Sequence, residues 1–156
     1  MSSKQGHNFD GPVYLAADHA GRELKEFIQD KLSSFGYKVT DLGAHGDDPI
    51  DDYPEIVRPA AEAVAKDHHA RAIIFGKSGE GEAMVANRLS GVRAAVYTGG
   101  PLEIIRLARE HNNANVLSIG AEFVSEDDAW QAVHLFLGLT FSGESRHERR
   151  IHEIDE

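Results

Sequence analysis

Short apolar runs alternate along this chain with amphipathic stretches, and three of the runs end directly on a polar or glycine-rich cluster. Val13-Tyr14-Leu15-Ala16-Ala17 leads into Asp18-His19-Ala20-Gly21. A helical pattern follows at once, with Leu24, Phe27, Ile28, Leu32 and Phe35 on one face and Gly36 as its stop. Residues 37–42 alternate apolar and polar as a second strand does, 44–54 are loop-like in their Gly, Asp and Pro, and 56–66 carry Ala, Val and Glu at helical spacing. The order then repeats: strand 71–75, glycine-rich turn 76–81, short helix 82–89, strand 92–97, helix 101–112 opening on Pro101, and strand 116–119. Ser125 followed by Glu126-Asp127-Asp128 predicts a helix start, with a hydroxyl cap and carboxylates at the positive end. Strands apolar on both faces that alternate with helices mean βαβ units and a parallel sheet covered on both sides. The expected fold is therefore α/β: a single-domain, doubly wound (Rossmann-like) α/β/α sandwich on a five-stranded parallel sheet. Ligands gather at the carboxyl ends of such strands, where Asp18-His19, residues 76–82 and Thr98-Gly99-Gly100 fall. A rim of this composition predicts a small polar ligand.

At 156 residues the chain has the length of one domain. It divides into a disordered lead-in over 1–11, an α/β domain over 12–144 and a charged helical tail over 145–156. The 26 acidic against 16 basic residues leave a net charge of −10, which speaks against nucleic acid and against an anionic membrane as partners. No apolar run approaches the roughly 18–20 residues of a bilayer span. The opening MSSKQGHNFDG lacks the apolar core of a signal peptide, so a cytoplasmic location is expected. The absence of cysteine removes disulfides, thiolate zinc sites and a Cys nucleophile. His68-His69 are adjacent and cannot both face one metal from a helix. They read as surface residues, as do His7, His45, His134 and His152, and no metal or other cofactor is expected. Trp130 and residues 135–139 read as core or as a subunit contact.

The turn Gly76-Lys77-Ser78-Gly79-Glu80-Gly81-Glu82 is neither of two familiar motifs. A Walker A loop needs a glycine where Arg71 stands, and a dinucleotide fingerprint needs a small residue where Met84 stands. What remains is generic: glycines let backbone N–H groups converge ahead of a helix, which suits an oxyanion or phosphate. The same segment also reads as a plain strand–helix connection, and Glu82 as a first-turn carboxylate complementing the helix dipole. The sharper reading comes from Ser78 and Glu82 in and just after the turn. A carboxylate beside a nest of donors can take a proton from a carbon next to a carbonyl while the donors hold the enolate oxygen.

Six segments in order carry a resemblance: Asp18-His19-Ala20-Gly21 with Leu24-Lys25, Asp52-Tyr53-Pro54, Ser78 to Glu82 with Ala86-Asn87-Arg88, Gly91 to Ala95, Leu107 to Asn115, and Arg146-His147-Glu148-Arg149-Arg150. With this set the chain resembles the type B ribose-5-phosphate isomerase family, which includes galactose-6-phosphate and allose-6-phosphate isomerases. The resemblance runs from Val13 to about Ile151. It implies interconversion of an aldose phosphate and a ketose phosphate through a cis-enediolate, without a metal. Many members place a cysteine base where this chain has Gly76, and a subgroup similar to actinobacterial members places a Glu after the turn. The resemblance thus assigns Glu82 as the base between C2 and C1, and Ser78 as the hydroxyl that moves the proton between O1 and O2. It assigns the amides of Gly79, Glu80 and Gly81 to an enediolate hole. It further implies His111 and Asp18 for ring opening, His19, Arg146 and Arg150 for the phosphate, and Asn112 and Tyr53 for substrate hydroxyls. The tail would then complete the phosphate site. Family members work as homodimers or dimers of dimers with sites at the interface.

Two positions depart from the family pattern. Lys77 stands where glycine is usual, and Glu122 stands where an arginine commonly serves the phosphate. Glu122 is expected either to turn away or be neutralised by Lys77 or Arg149, or else to meet a hydroxyl of a substrate of different length. The leading expectation is isomerisation of ribose 5-phosphate to ribulose 5-phosphate. The alternatives are a tetrose 4-phosphate or hexose 6-phosphate substrate, or a protein that binds a phosphorylated metabolite without turnover.

Overall fold

Ile73, Ile74 and Phe75 are all fully buried, and their side chains alternate between two separate cores, as the period-two geometry of a strand requires. In the computed structural model, which describes residues 9–46 and 51–156, they belong to β3 (Arg71–Gly76). The remaining strands are β1 (Pro12–Ala17), β2 (Lys38–Asp41), β4 (Ala94–Tyr97) and β5 (Val116–Gly120). All pair in parallel in the order β2-β1-β3-β5-β4, so the structure has the expected α/β architecture and strand count. The helices are α1 (Arg22–Ser34), α2 (Tyr53–Lys66), α3 (Glu80–Ala86), α4 (Glu103–Glu110), α5 (Glu126–Gly138) and α6 (Ser145–Asp155).

One core lies under α1, α4 and α5, where Ile28, Leu32, Ile105, Val133 and Phe136 meet Leu15, Ile73, Phe75, Leu117 and Ile119. The other lies under α2 and α3, where Val57, Ala60, Val64 and Ala86 meet Ala16, Ala72, Ile74 and Val116. Each large apolar side chain buried this way contributes about 1.5–3 kcal/mol. Ser125 caps α5 as expected, its side chain accepting the Asp128 N–H at 3.1 Å.

The boundaries differ from the sequence expectation where backbone chemistry intervenes. Helix α2 starts at Tyr53 rather than 56 because Pro54 fits the first turn of a helix. Helix α3 starts at Glu80, inside the glycine turn, once Gly79 at φ +78° has turned the chain. Strand β4 begins late because the Arg93 N–H donates to Asn115 Oδ1 at 2.8 Å instead of to a strand neighbour. Of the expected lead-in, residues 1–8 lie outside the described residues. Phe9 is packed, with the Arg71 guanidinium 4.4 Å from its ring centroid, so order begins before Pro12. Residues 47–50 of the expected loop also lie outside the described residues. The tail is helical as expected, and Arg93 ties its end through Asp155 at 3.3 Å.

Strand β1 passes to α1 on one face of the sheet and β3 to α3 on the other. Their connections diverge at the carboxyl ends, which opens a crevice between β1 and β3.

Candidate active site

Four glycines let the backbone close around that crevice. A Cβ on Gly21 would lie 2.5 Å from Phe75 Cβ, so only glycine lets the turn after β1 rest on the end of β3. That turn is fixed by Asp18, whose Oδ1 accepts the Gly21 N–H at 3.1 Å. A Cβ on Gly120 would come 2.5 Å from the Ser78 carbonyl oxygen, and one on Gly79 within 3.0 Å of the Ile119 backbone. The glycine turn after β3 therefore packs tightly against the end of β5, where Ser118 Oγ donates to the Gly79 carbonyl at 2.6 Å.

The most informative of the four is Gly76. A Cβ there would sit 2.0 Å from Glu82 Oε1 and 2.2 Å from its Cδ. The Glu82 carboxyl thus occupies the volume that a side chain at position 76 would fill. It is only 4% exposed. Burial pushes its pKa up from 4.5 to about 7; its own backbone amide opposes the rise, while the hydrogen bond and negative charge of Asp18 add to it. A buried carboxyl that loses its proton near neutral pH is suited to general base catalysis. Ser78 is half-buried at the same rim, and its Oγ accepts the Glu80 N–H at 3.2 Å. Of the three expected donors, the Glu80 amide is therefore already engaged, leaving Gly79 and Gly81. The Tyr53 ring lies over Gly81, its hydroxyl 2.5 Å from where a Cβ would be.

His19 is exposed beside this cluster and is held by Asp51, which the sequence reading missed. Asp51 Oδ1 lies 2.9 Å from His19 Nδ1 and Oδ2 accepts the His19 N–H at 3.0 Å. The only trace of this in the sequence is the acidic pair before Tyr53, which a loop rich in Asp does not distinguish.

His111, Asn112, Arg146 and Arg150 lie elsewhere. Helix α4 runs back against the strand direction, so its C-cap His111 falls at the amino end of β5. The five residues of β5, at about 3.3 Å each, separate it from the glycine turn. There the His111 ring stacks on His147 of α6 at 4.2 Å and 16°. His147 is buried, with Nε2 lacking a hydrogen bond and 3.9 Å from Glu144 Oε2. Burial and then the charge of His111 hold its pKa below the usual histidine value. Arg146 Nε donates to Glu144 Oε2 at 3.0 Å; Arg146, Arg150 and Asn112 are exposed. One chain thus brings together Asp18, His19, Tyr53, Ser78, Gly79, Glu80, Gly81 and Glu82, and holds the other four at the opposite end of the sheet.

Glu122 returns to the glycine-turn end of the sheet. Its N–H donates to the Lys77 carbonyl at 3.1 Å, and its side chain is exposed. Within one chain it forms no ion pair with Lys77 or Arg149. Among the described residues no group of three or more His, Asp or Glu is placed to hold a metal, and no helix is long and apolar enough to cross a membrane.

A family model described as Ribose/Galactose Isomerase matches residues 13–154. A protein of Mycobacterium leprae named ribose-5-phosphate isomerase B is 40% identical over 139 residues, covering 89% of this chain and 85% of the relative. The structure of ribose-5-phosphate isomerase B from Mycoplasma genitalium, solved with bound ribulose 5-phosphate, superposes with a TM-score of 0.87 at 36% identity, over 92% of this chain and 93% of the other. A ribose 5-phosphate isomerase from Thermotoga maritima gives 0.86 at 34% identity, over 93% and 97%. On a match that spans almost the whole folded chain, this protein belongs to the ribose/galactose isomerase family.

Proposed function

We propose that the chain is an aldose–ketose isomerase that interconverts ribose 5-phosphate and ribulose 5-phosphate, with Glu82 as its carbon base. The observation that carries this reading is the Glu82 carboxyl, buried in the space left by Gly76 and ionising at about 7. In the forward direction Glu82 takes the proton from C2 of the open-chain aldose. The electrons of that bond form the C1–C2 double bond and negative charge moves onto O1, where the free amides of the turn stabilise it. Ser78 relays a proton from O2 to O1, and Glu82 returns its proton to C1 as the C2 carbonyl forms. Every proton moved comes from the substrate and returns to it, relayed by Glu82 and Ser78, while backbone amides hold the transient charge. A protein that only held a phosphorylated metabolite would have no use for a buried base. The relatives named as ribose-5-phosphate isomerases, and the ribulose 5-phosphate bound to one of them, support the five-carbon substrate.

The separation of His111, Asn112, Arg146 and Arg150 from Glu82 supports sites built from two copies of the chain. In that arrangement the amino-end cluster of one copy meets the glycine turn of the other. Arginine forks and His19 then hold the phosphate dianion, Asp18 and the partner's His111 assist ring opening, and Asn112 and Tyr53 contact sugar hydroxyls.

Glu82→Gln is expected to keep the fold and substrate binding and to lower kcat by roughly 10²–10⁴, the range for loss of a general base. Exchange of the C2 proton with solvent falls in parallel. In the unaltered protein kcat/KM rises with pH through about 7 as Glu82 ionises. Full turnover by the Glu82→Gln variant would remove Glu82 from the mechanism. A panel of four- to six-carbon aldose phosphates fixes the substrate length.

A further inference from the structure

The reaction above uses Asp18 and Glu82 one at a time, yet the fold buries them side by side. Asp18 directly follows β1 at 7% exposure and Glu82 lies in the first turn of α3 at 4%. Asp18 follows the pairing of Ala17 with Phe75, so it stands beside Gly76, the position whose Cβ space the Glu82 carboxyl fills. The charged groups on the elements packed around them are committed to other partners. On α1, Lys25 Nζ donates to Asp41 Oδ1 at 2.8 Å and to the Ala44 carbonyl at 2.9 Å, and Arg22 pairs with Glu26 at 3.0 Å. His19 is held by Asp51 at 2.9 Å. Lys77 of the glycine turn is exposed, and helix α2 contributes the neutral Tyr53. Two poorly solvated carboxyls side by side resist ionising together, because each charge raises the cost of the other.

From this juxtaposition we infer that Asp18 and Glu82 hold one proton between them in the resting protein, and that Asp18 thereby adds to burial in raising the pH at which Glu82 becomes a base. The Gly21 N–H bonded to Asp18 Oδ1 favours negative charge on Asp18, so the shared proton resides on Glu82. Glu82 is then a stronger base, once ionised, than a solvated carboxylate, and substrate binding that excludes water from the crevice strengthens it further. Asp18 in this role is a positioning residue acting through Glu82, in addition to its part in ring opening. Burial raises the Glu82 carboxyl and the neighbouring Asp18 charge adds to that rise, in keeping with a pair of this kind. The inference rests on Glu82 being the base only for its catalytic consequence; the shared proton stands by itself.

The test is a carboxyl-carbon NMR titration of the full chain with labelled Glu and Asp, in wild type, Asp18→Asn and Glu82→Gln. The Asn variant keeps an oxygen for the Gly21 N–H. In it the Glu82 midpoint is expected to move to lower pH, while staying above the ordinary Glu value because burial, the larger cause of its rise, persists. The acid limb of kcat/KM for ribose 5-phosphate moves by the same amount. A four-carbon aldose 4-phosphate cannot close a furanose ring, so the same displacement with that substrate separates this effect from ring opening. If Asp18→Asn does not fold, Asp18→Ser and the Asp18 titration in Glu82→Gln give the same answer from either side of the pair. An unchanged Glu82 midpoint, or an Asp18 titration indifferent to Glu82→Gln, overturns the shared proton. Coupled titrations in a protein whose Glu82→Gln variant still turns over would instead overturn the role of Glu82 as base and leave the pair intact.

Discussion

The two ends of the sheet are built on opposite principles. At the carboxyl ends Gly21, Gly76, Gly79 and Gly120 remove side chains so that backbone segments touch, and two carboxyls are sealed into the remaining space. At the amino ends the candidate groups sit on helix α6 and at the end of α4: Arg146 and Arg150 are exposed, Asn112 is exposed, and His111 is steadied by stacking on His147. The first end can perturb the acidity of a group because it withholds water from it. The second can offer charge and hydrogen bonds over a distance because its side chains are long and solvated. Chemistry that needs a tuned base belongs to the first end. In the proposed two-copy site, capture of a phosphate dianion falls to the second, on another copy of the chain.

The largest expected effect breaks the first end. Gly76→Ala places a Cβ where the Glu82 carboxyl now lies, 2.0 Å from Oε1, so the carboxyl must leave. Loss of kcat by about 10²–10⁴ is expected, as for removing the base outright. Gly76→Ala combined with Glu82→Gln should cost little more than either alone, since both delete the same function. Additive losses would show that Gly76 matters for another reason.

The next test joins the two ends. Glu82→Gln and His111→Ala are each expected to be nearly inactive. Mixed and allowed to exchange, they should recover about a quarter of wild-type turnover, because half the dimers are then mixed and each has one intact site of two. No recovery on confirmed exchange would mean that both groups act within one chain.

A third measurement reads the first end without substrate. Burial keeps the proton on Glu82 to about pH 7 in the folded state, whereas the unfolded chain releases it near 4.3. The folded form binds more protons over that window, so stability falls as pH rises through it, and the contribution of the bound proton is fully lost above about 7. Glu82→Gln lacks this loss. Relative to wild type it should gain stability as pH rises from about 4 to 7, on the order of 4 kcal/mol at most, measured by denaturant unfolding. A pH-independent difference would contradict the burial argument.

The smallest effect concerns Glu122, which lies at the glycine-turn end but is solvated like the groups of the other. Glu122→Arg should change KM for ribose 5-phosphate by less than about threefold, under ~0.7 kcal/mol. A tenfold drop would show that the carboxylate opposes the phosphate, and would favour a substrate of another length.

Much of this molecule was legible in its residues. Strands apolar on both faces and separated by helical patterns leave almost no choice but a parallel sheet between helix layers, because such strands must be covered on both sides. Local rules also placed the Ser125 cap, the turn at residues 76–81 and the helical tail, since capping and glycine conformations depend on a few neighbouring residues. Glu82 and Ser78 could be singled out because a carboxylate next to a glycine nest is a local pattern. Tertiary structure alone decided the rest. That the Glu82 carboxyl fills the space beside Gly76, that Asp18 lies against it, and that Asp51 grips His19 across the loop all depend on strands β1 and β3 being neighbours. The sequence places His111 only one strand away from the glycine turn, yet the fold puts it at the other end of the sheet, because a helix between parallel strands must run back to where they begin. Acidity and access follow from which groups share a crevice and how much water reaches it, and those are properties of the packed chain.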